Sequence, residues 1–396
     1  MSDKGGESME LGNVLLIGES GVGKSTLINA VLKKPETETG YGTTGTTKRL
    51  EIYRGEDVPF RVIDTIGFEP TFFQKTKAIN AIKKWSKESA KKSEKKEAEE
   101  EDNRQIHVIW FCIEGTRRKL FRDSIRNMLR ATHMWKSIPI IVVITKSYSN
   151  AERRENVKMV RDAFEKWGKT DRLKDVIPVV AAPFVIDEDN IIPPNGIDEL
   201  INTTNDLMPE AIQLSKQDVE AYILTRKRAF AQGVIATSVV AGVTATAIPV
   251  PIADGALLSA IELAEIKAVS SIYGIKRDEK SKIFISTMVE VGTVSAVARS
   301  TISMLKTIPG INIAASIMNA IIGGSFVTLI GEAATYAFEQ IYLGNKTLED
   351  TDWVKKLMET KLADDLTVKV ETAIRSLPAK PTVKEISRAI GDAFKK

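Results

Sequence analysis

The chain runs to 396 residues, long enough for two or more domains with separate hydrophobic cores. Its 56 Lys and Arg against 52 Asp and Glu leave a net charge of +4 at pH 7, which excludes binding of polyanions through bulk charge; no nucleic-acid partner is expected, and any basic surface has to be local. The single cysteine, Cys112, sits in an apolar run, which excludes a disulfide framework and fits a reducing compartment. No signal peptide is read, since the first apolar run, Val14 to Ile17, leads straight into a glycine-rich loop; a cytoplasmic protein is expected.

That loop carries the chemistry. After an N-terminal tail (1–10), NVLLIGESGVGKST fits G-x-x-x-x-G-K-[ST] at every fixed position from Gly18 to Ser25. Glycines at 18, 21 and 23 let the backbone wrap a phosphate chain with N–H groups pointing inward. The nucleotide-binding stretch is expected to be Glu19, Ser20, Gly21, Val22, Gly23, Lys24, Ser25 and Thr26. Lys24 adds a point charge near the β- and γ-phosphates, and Ser25 can ligate Mg²⁺. The following STLINAVLKK reads as a helix whose N-terminus faces the anion.

Apolar strand-like runs then alternate with helical patterns: Leu50–Tyr53, Phe60–Ile63, Val108–Ile113, Ile138–Ile144 and Val176–Val180. Such alternation predicts an α/β fold with a mostly parallel sheet covered by helices, its ligand beyond the carboxyl ends of the strands. The loops in those places have a consistent chemistry. YGTTGTTKR is rich in Thr, whose hydroxyl or carbonyl can complete Mg²⁺ coordination and sense a γ-phosphate. RVIDTIG ends a strand in Asp64-Thr65-Ile66-Gly67; Asp64 is placed to hold Mg²⁺ through water, and Gly67 to offer its N–H to the γ-phosphate.

With these motifs in order, residues 11–215 resemble a translation-factor-class P-loop GTPase domain (a G domain). GESGVGKSTLINA is similar to the septin, chloroplast-import-receptor and immunity-associated branches. The resemblance implies GTP/GDP as ligand, Mg²⁺ dependence, and slow hydrolysis often promoted by pairing of G domains into a homodimer. It points to Thr47 as the sensor and metal ligand, with Thr46 and Thr44 as alternatives, and to Lys24, Thr47 and Gly67 as the residues acting on the phosphate. Metal contacts are then expected from Ser25, Thr47 and Asp64.

Two departures stand out. Where the family carries [NT]-K-x-D, this strand ends in Thr145-Lys146-Ser147-Tyr148, so Tyr148 replaces the carboxylate that reads guanine. Lys146 can still pack its stem along a base, and the backbone at Ala181 and Ala182 can meet the guanine oxygen. Second, Phe68 follows Gly67 where Ras-like enzymes carry a water-positioning Gln, and a Phe cannot orient water.

Residues 83–104 form a dense mixed-charge run, read as a solvated helix or as a nucleotide-gated arm. In TRRKLFRDSIRNMLRATHMW, Arg118, Arg122, Arg126 and Arg130 share one helix face, while Phe121, Ile125 and Leu129 share another. The arginine face is either solvated or a partner surface, and Arg117 or Arg118 is a candidate finger toward a second nucleotide. His107 and His133 lack metal-ligand spacing and read as structural.

From residue 217 to 396 strand signals vanish and an all-α hydrophobic domain is expected. Charge-free windows cover Ala229–Ala253, after Arg226-Lys227-Arg228, and Thr307–Gly331, after Lys306. Each has the length of a membrane span, and the flanking cations suit a cytoplasmic side, so association with membrane lipid through 229–253 and 307–331 is one expectation; a bundle with these windows inside is the other. Gly233, Thr237, Ala241 and Ala245 form a small-residue stripe that permits close helix packing in either setting. A weak echo links Ile248-Pro249…Ile272-Tyr273-Gly274 with Ile308-Pro309…Ile341-Tyr342-Leu343-Gly344. This half resembles an uncharacterised hydrophobic helical module that follows G domains in some bacterial GTPases. The tail after Asp350 reads as two amphipathic helices broken at Pro378 and Pro381.

A GTPase switch with a helical effector half is the first reading of the whole. A nucleotide-binding scaffold with negligible hydrolysis is the second, and an ATPase is the last, since no apolar strand ends in an acidic pair.

Overall fold

The computed structural model describes residues 11–32, 36–39, 50–65, 105–133, 135–187, 190–246, 254–294, 314–363 and 366–394. The chain divides into two compact units, one of residues 1–182 and 194–226, the other of 183–193 and 227–396.

The first unit is built on a seven-stranded sheet. Its strands are β1 (Gly12–Gly18), β2 (Glu36–Thr39), β3 (Leu50–Arg54), β4 (Phe60–Thr65), β5 (Val108–Glu114), β6 (Ile140–Thr145) and β7 (Leu173–Pro178). Their spatial order is β2-β3-β4-β1-β5-β6-β7. The pairs β4–β1, β1–β5, β5–β6 and β6–β7 are parallel, and only β2–β3 and β3–β4 run antiparallel. The central strands are buried on both faces, which is why VLLI, VIWFCI and IIVVI read as unbroken apolar runs rather than alternating ones. The predicted mostly parallel α/β sheet is therefore the observed fold, with β2 added at one edge.

Helices α1 (Lys24–Val31), α2 (Phe121–Ala131), α3 (Asn150–Lys166) and α4 (Ile197–Asp206) cover this sheet. Phe121, Ile125, Met128 and Leu129 turn inward from α2 onto Phe111 and Ile113 of β5, as the sequence spacing of the apolar residues requires. His107 is structural: its Nδ1 accepts from the Asn13 N–H at 2.9 Å, next to the Arg61 Nε that donates to Asn13 Oδ1 at 2.6 Å.

Helix α5 (Lys216–Thr246) belongs to the first unit up to Arg226 and to the second from Lys227. The second unit adds a hairpin, β8 (Phe184–Asp187) with β9 (Asn190–Ile192), and helices α6 (Asp254–Ile272), α7 (Glu279–Val294), α8 (Ala315–Tyr342), α9 (Thr351–Ala363), α10 (Leu366–Arg375) and α11 (Val383–Phe394). The hairpin was not legible in the sequence; the three helices after Thr351 replace the two expected there.

Helix α8 is its core element, buried without interruption from Ala320 to Gly331. Glycines on α8 set the packing distance. A Cβ at position 324 would come within 2.7 Å of Val243 of α5 and Ile390 of α11, and one at 331 within 2.6 Å of Ile235 of α5 and Glu265 of α6. The packed face of α5 runs through Ile235, Ser238, Val239, Gly242, Val243 and Thr246. The small-residue stripe picked out from the sequence, Gly233 to Ala245, lies half-buried beside that face. Both ends of the internal echo are helix ends, and their Tyr273 and Tyr342 rings meet edge-on with centroids 6.1 Å apart. The Ile-Pro starts of the echo lie outside the described residues.

Candidate nucleotide-binding site

The phosphate loop joins β1 to α1 at the carboxyl edge of the sheet. Gly18 is required by close approach: a Cβ there would sit 2.9 Å from the Cys112 carbonyl oxygen of β5. Gly23 precedes α1 at φ +100, a backbone region that L side chains rarely adopt. No side-chain hydrogen bond caps this end of the helix, whose first N–H groups have no partner within the helix. The Lys24 Nζ bends back to the carbonyls of Gly18 and Glu19, both at 3.1 Å, and so lies across the loop mouth. Ser20, Gly21, Ser25 and Thr26 are exposed, Glu19, Gly23 and Lys24 half-buried, and Val22 buried. The Glu19 carboxylate accepts from Ser124 Oγ of α2 at 3.3 Å.

Asp64 is 5 % exposed near the end of β4, paired in register with Leu16, two residues before the first loop glycine. Its carboxylate and the Ser25 hydroxyl are hard oxygen donors on either side of the loop, a donor chemistry that fits Mg²⁺. Thr44, Thr46, Thr47, Gly67 and Phe68 lie outside the described residues, as does the charged run 83–104.

The end of β6 completes the loop from its other side. The Thr145 hydroxyl is buried and donates to the Val22 carbonyl at 2.5 Å, with Ile113 O at 3.1 Å, which ties the phosphate loop to the ends of β5 and β6. Lys146 adopts φ +53, and its Nζ spans from Gly21 O at 3.1 Å to Glu114 Oε1 at 3.0 Å, drawing its stem over the loop. Tyr148 is half-buried beside it; burial and the nearby Glu114 charge push its phenol pKa up, against the lowering effect of Lys146. Arg153 braces this loop through Ser147 O at 2.7 Å and Asn195 Oδ1 at 2.9 Å. Ala181 is half-buried next to Val180, which bridges to Asn195.

Glu114, the last residue of β5, is a site residue that sequence reasoning missed. Its side chain is 9 % exposed and is met by Lys146, by Arg117 Nε at 3.2 Å and by the Thr116 hydroxyl at 2.9 Å. Burial alone raises its pKa, but these hydrogen bonds and the two cations outweigh it and hold the carboxyl below the ordinary glutamate value. The available signal was its place at the carboxyl end of a central strand. Cys112, two residues earlier, is no nucleophile: burial, opposed by Lys24 and reinforced by Asp64, pushes its thiol up to about 12.

Of the arginine face, Arg118 and Arg126 are engaged within the unit, while Arg122 and Arg130 are exposed. Arg118, on the short turn before α2, pairs with Glu152 at 2.6 Å and Glu155 at 2.5 Å of α3, and Arg126 stacks over the Trp167 ring at 5.9 Å. Of the two candidate fingers, Arg117 is the more exposed.

With this fold and this loop on view, the first unit has the mostly parallel α/β fold of a P-loop G domain. Residues 13–146 match the sequence profile of the family described as 50S ribosome-binding GTPase. Cell division control protein 10 of Saccharomyces cerevisiae is 28 % identical over 172 residues, which is 39 % of this chain and 53 % of that protein, so the chain spans about half the length of the curated relative it matches. Among solved structures, Era in complex with MgGDPNP and nucleotides 1506–1542 of 16S ribosomal RNA aligns with a TM-score of 0.33 at 20 % identity, over 56 % of this chain and 68 % of that one. The LeoA bacterial dynamin GTPase from ETEC aligns with a TM-score of 0.29 at 11 % identity, over 97 % of this chain and 90 % of that one.

Proposed function

We propose that the chain is a Mg²⁺-dependent GTPase with slow intrinsic hydrolysis, acting as a nucleotide switch whose helical half is the effector. One observation carries the reading: Lys24 lies across a loop whose helix N–H groups are left for an anion, with the buried Asp64 carboxylate across the sheet edge. The β- and γ-phosphates would lie on the N–H groups of residues 21–26 and against Lys24. Ser25, Asp64 and Thr47 would hold Mg²⁺, which supplies charge neutralisation of the phosphates. Lys146 would lie along the base, and Ala181 would offer its N–H to the guanine oxygen. Titration of the purified chain with GDP, GTP and ADP tests the reading; preference for ADP, or no binding, overturns it.

A scaffold with negligible hydrolysis remains the second reading, supported by Phe68 and by the pairing of Arg118 to α3. Single-turnover hydrolysis at saturating Mg²⁺ separates the two. A homodimer through the G domains is proposed as the faster form. Lipid contact by the effector half has the length and apolar composition of α5 and α8 in its favour; against it, 78 % of the apolar window of α8 is buried. Flotation of the full chain with liposomes decides between them.

A further inference from the structure

Helix α1 is two turns long, so its far end lies only about 12 Å from its start at the phosphate loop. Its last carbonyls have no partner within the helix. Three in succession are taken by side chains of α5. Arg226 Nη2 donates to Asn29 O at 2.8 Å, Arg226 Nε to Ala30 O at 2.8 Å, and the Tyr222 hydroxyl to Val31 O at 2.6 Å. Tyr222 and Arg226 are four residues apart, on one face of α5, and both are buried. A cation at a helix C-terminus meets the negative end of the dipole whose positive end faces the phosphate loop. The start of α5 is itself fixed, with Ser215 Oγ accepting from the Asp218 N–H at 3.2 Å and donating to Asp218 Oδ2 at 2.6 Å.

We propose that Tyr222 and Arg226 are positioning residues of the nucleotide site: they clamp the C-terminal end of α1, and through it hold the N–H groups at the other end in place for phosphate. By reciprocity, bound nucleotide tightens residues 216–226 of α5. The proposal rests on the nucleotide-binding reading of the loop, and the experiment keeps the two apart.

The full chain is titrated with GDP, and its backbone hydrogen exchange is followed with and without GDP. The wild-type chain is expected to bind and to slow exchange both in α1 and in residues 216–226. Tyr222→Phe and Arg226→Gln should each weaken GDP roughly threefold to tenfold and abolish the slowing at 216–226, with Arg226→Lys recovering part of both. Tyr222→Phe removes one oxygen and keeps the ring, so it carries the test if Arg226→Gln fails to fold. Wild-type affinity in Tyr222→Phe with unchanged slowing at 216–226, even with a lowered melting temperature, overturns the positioning role. A wild-type chain that binds no GDP overturns the nucleotide reading instead.

Discussion

Lys146 Nζ and Glu114 Oε1 lie 3.0 Å apart, joining the ends of two neighbouring strands over the phosphate loop. The pair holds Lys146 where its stem can line a base. Glu114→Gln keeps the shape and removes the charge, and GDP affinity should fall roughly threefold to tenfold in a calorimetric titration. The same carboxyl gives a pH signature. Its pKa in the folded chain is below the unfolded value, so its stabilisation is complete above the ordinary glutamate range and is lost as pH falls through the lowered value. Urea midpoints measured from pH 7 to pH 3 should therefore drop less steeply in Glu114→Gln than in the wild type.

Lys24 supplies the side-chain cation at the loop mouth, and its two contacts are backbone carbonyls of the same loop. Lys24→Ala should weaken GTP by an order of magnitude or more with an unchanged circular dichroism spectrum. Asp64→Asn should leave binding in EDTA unaltered and remove the gain that Mg²⁺ gives. Wild-type affinity in Lys24→Ala would sink the site assignment.

Tyr148 stands beside Lys146 where a carboxylate is expected in the resembling family, and its phenol stays protonated at neutral pH. Tyr148→Asp should sharpen the preference for GDP over ADP, because a carboxylate can accept both guanine N–H groups. A preference that is unchanged or reversed would show that the base is read from another side of the loop.

Hydrolysis should rise with protein concentration if G domains pair across the nucleotide. Arg118 is tied to Glu152 and Glu155, whereas the Arg117 side chain is 57 % exposed. Arg117→Ala should flatten the concentration dependence, while Arg118→Ala should leave turnover unchanged and lower the melting temperature slightly. Specific activity that is constant over a hundredfold range of wild-type concentration would count against pairing.

Strands β1, β4, β5 and β6 around the phosphate loop were legible because their signal is local: each is an apolar run ending in loop residues of one chemistry. Glu114 was not, since its role follows from the register that sets it beside Thr145 and Lys146, a pairing across about 30 residues that no local pattern announces. The basic triplet shows the same limit. Arg226, Lys227 and Arg228 read as the flank of a membrane window, yet each has an internal partner. Arg226 meets α1, Lys227 donates to Ile272 O at 2.7 Å at the end of α6, and Arg228 forms a two-point pair with Glu339 of α8 at 2.6 Å. A cation's preference for water is overridden where helix carbonyls or a carboxylate await it, and those partners lie about 45 to 200 residues away in sequence.

The packing of α8 gives the last prediction. Its glycines matter because they admit α5 and α6 at close range, and at position 331 two residues of different helices, Ile235 and Glu265, both come within 2.6 Å of a built Cβ. Neither neighbour is the end of a free, solvated chain: Ile235 is 3 % exposed and Glu265 fully buried, its carboxyl pKa pushed well up by burial and by the neighbouring Glu262. Gly331→Val must push these helices apart and should cost the helical unit about 1–3 kcal/mol, read as a lower urea midpoint of its transition in detergent-free buffer. A bundle with α8 at its centre requires that loss. If the variant unfolds with the wild-type midpoint, or the wild-type chain stays in solution only with detergent or lipid, the two long apolar helices are packed against something other than this bundle, and the membrane-facing effector becomes the better reading.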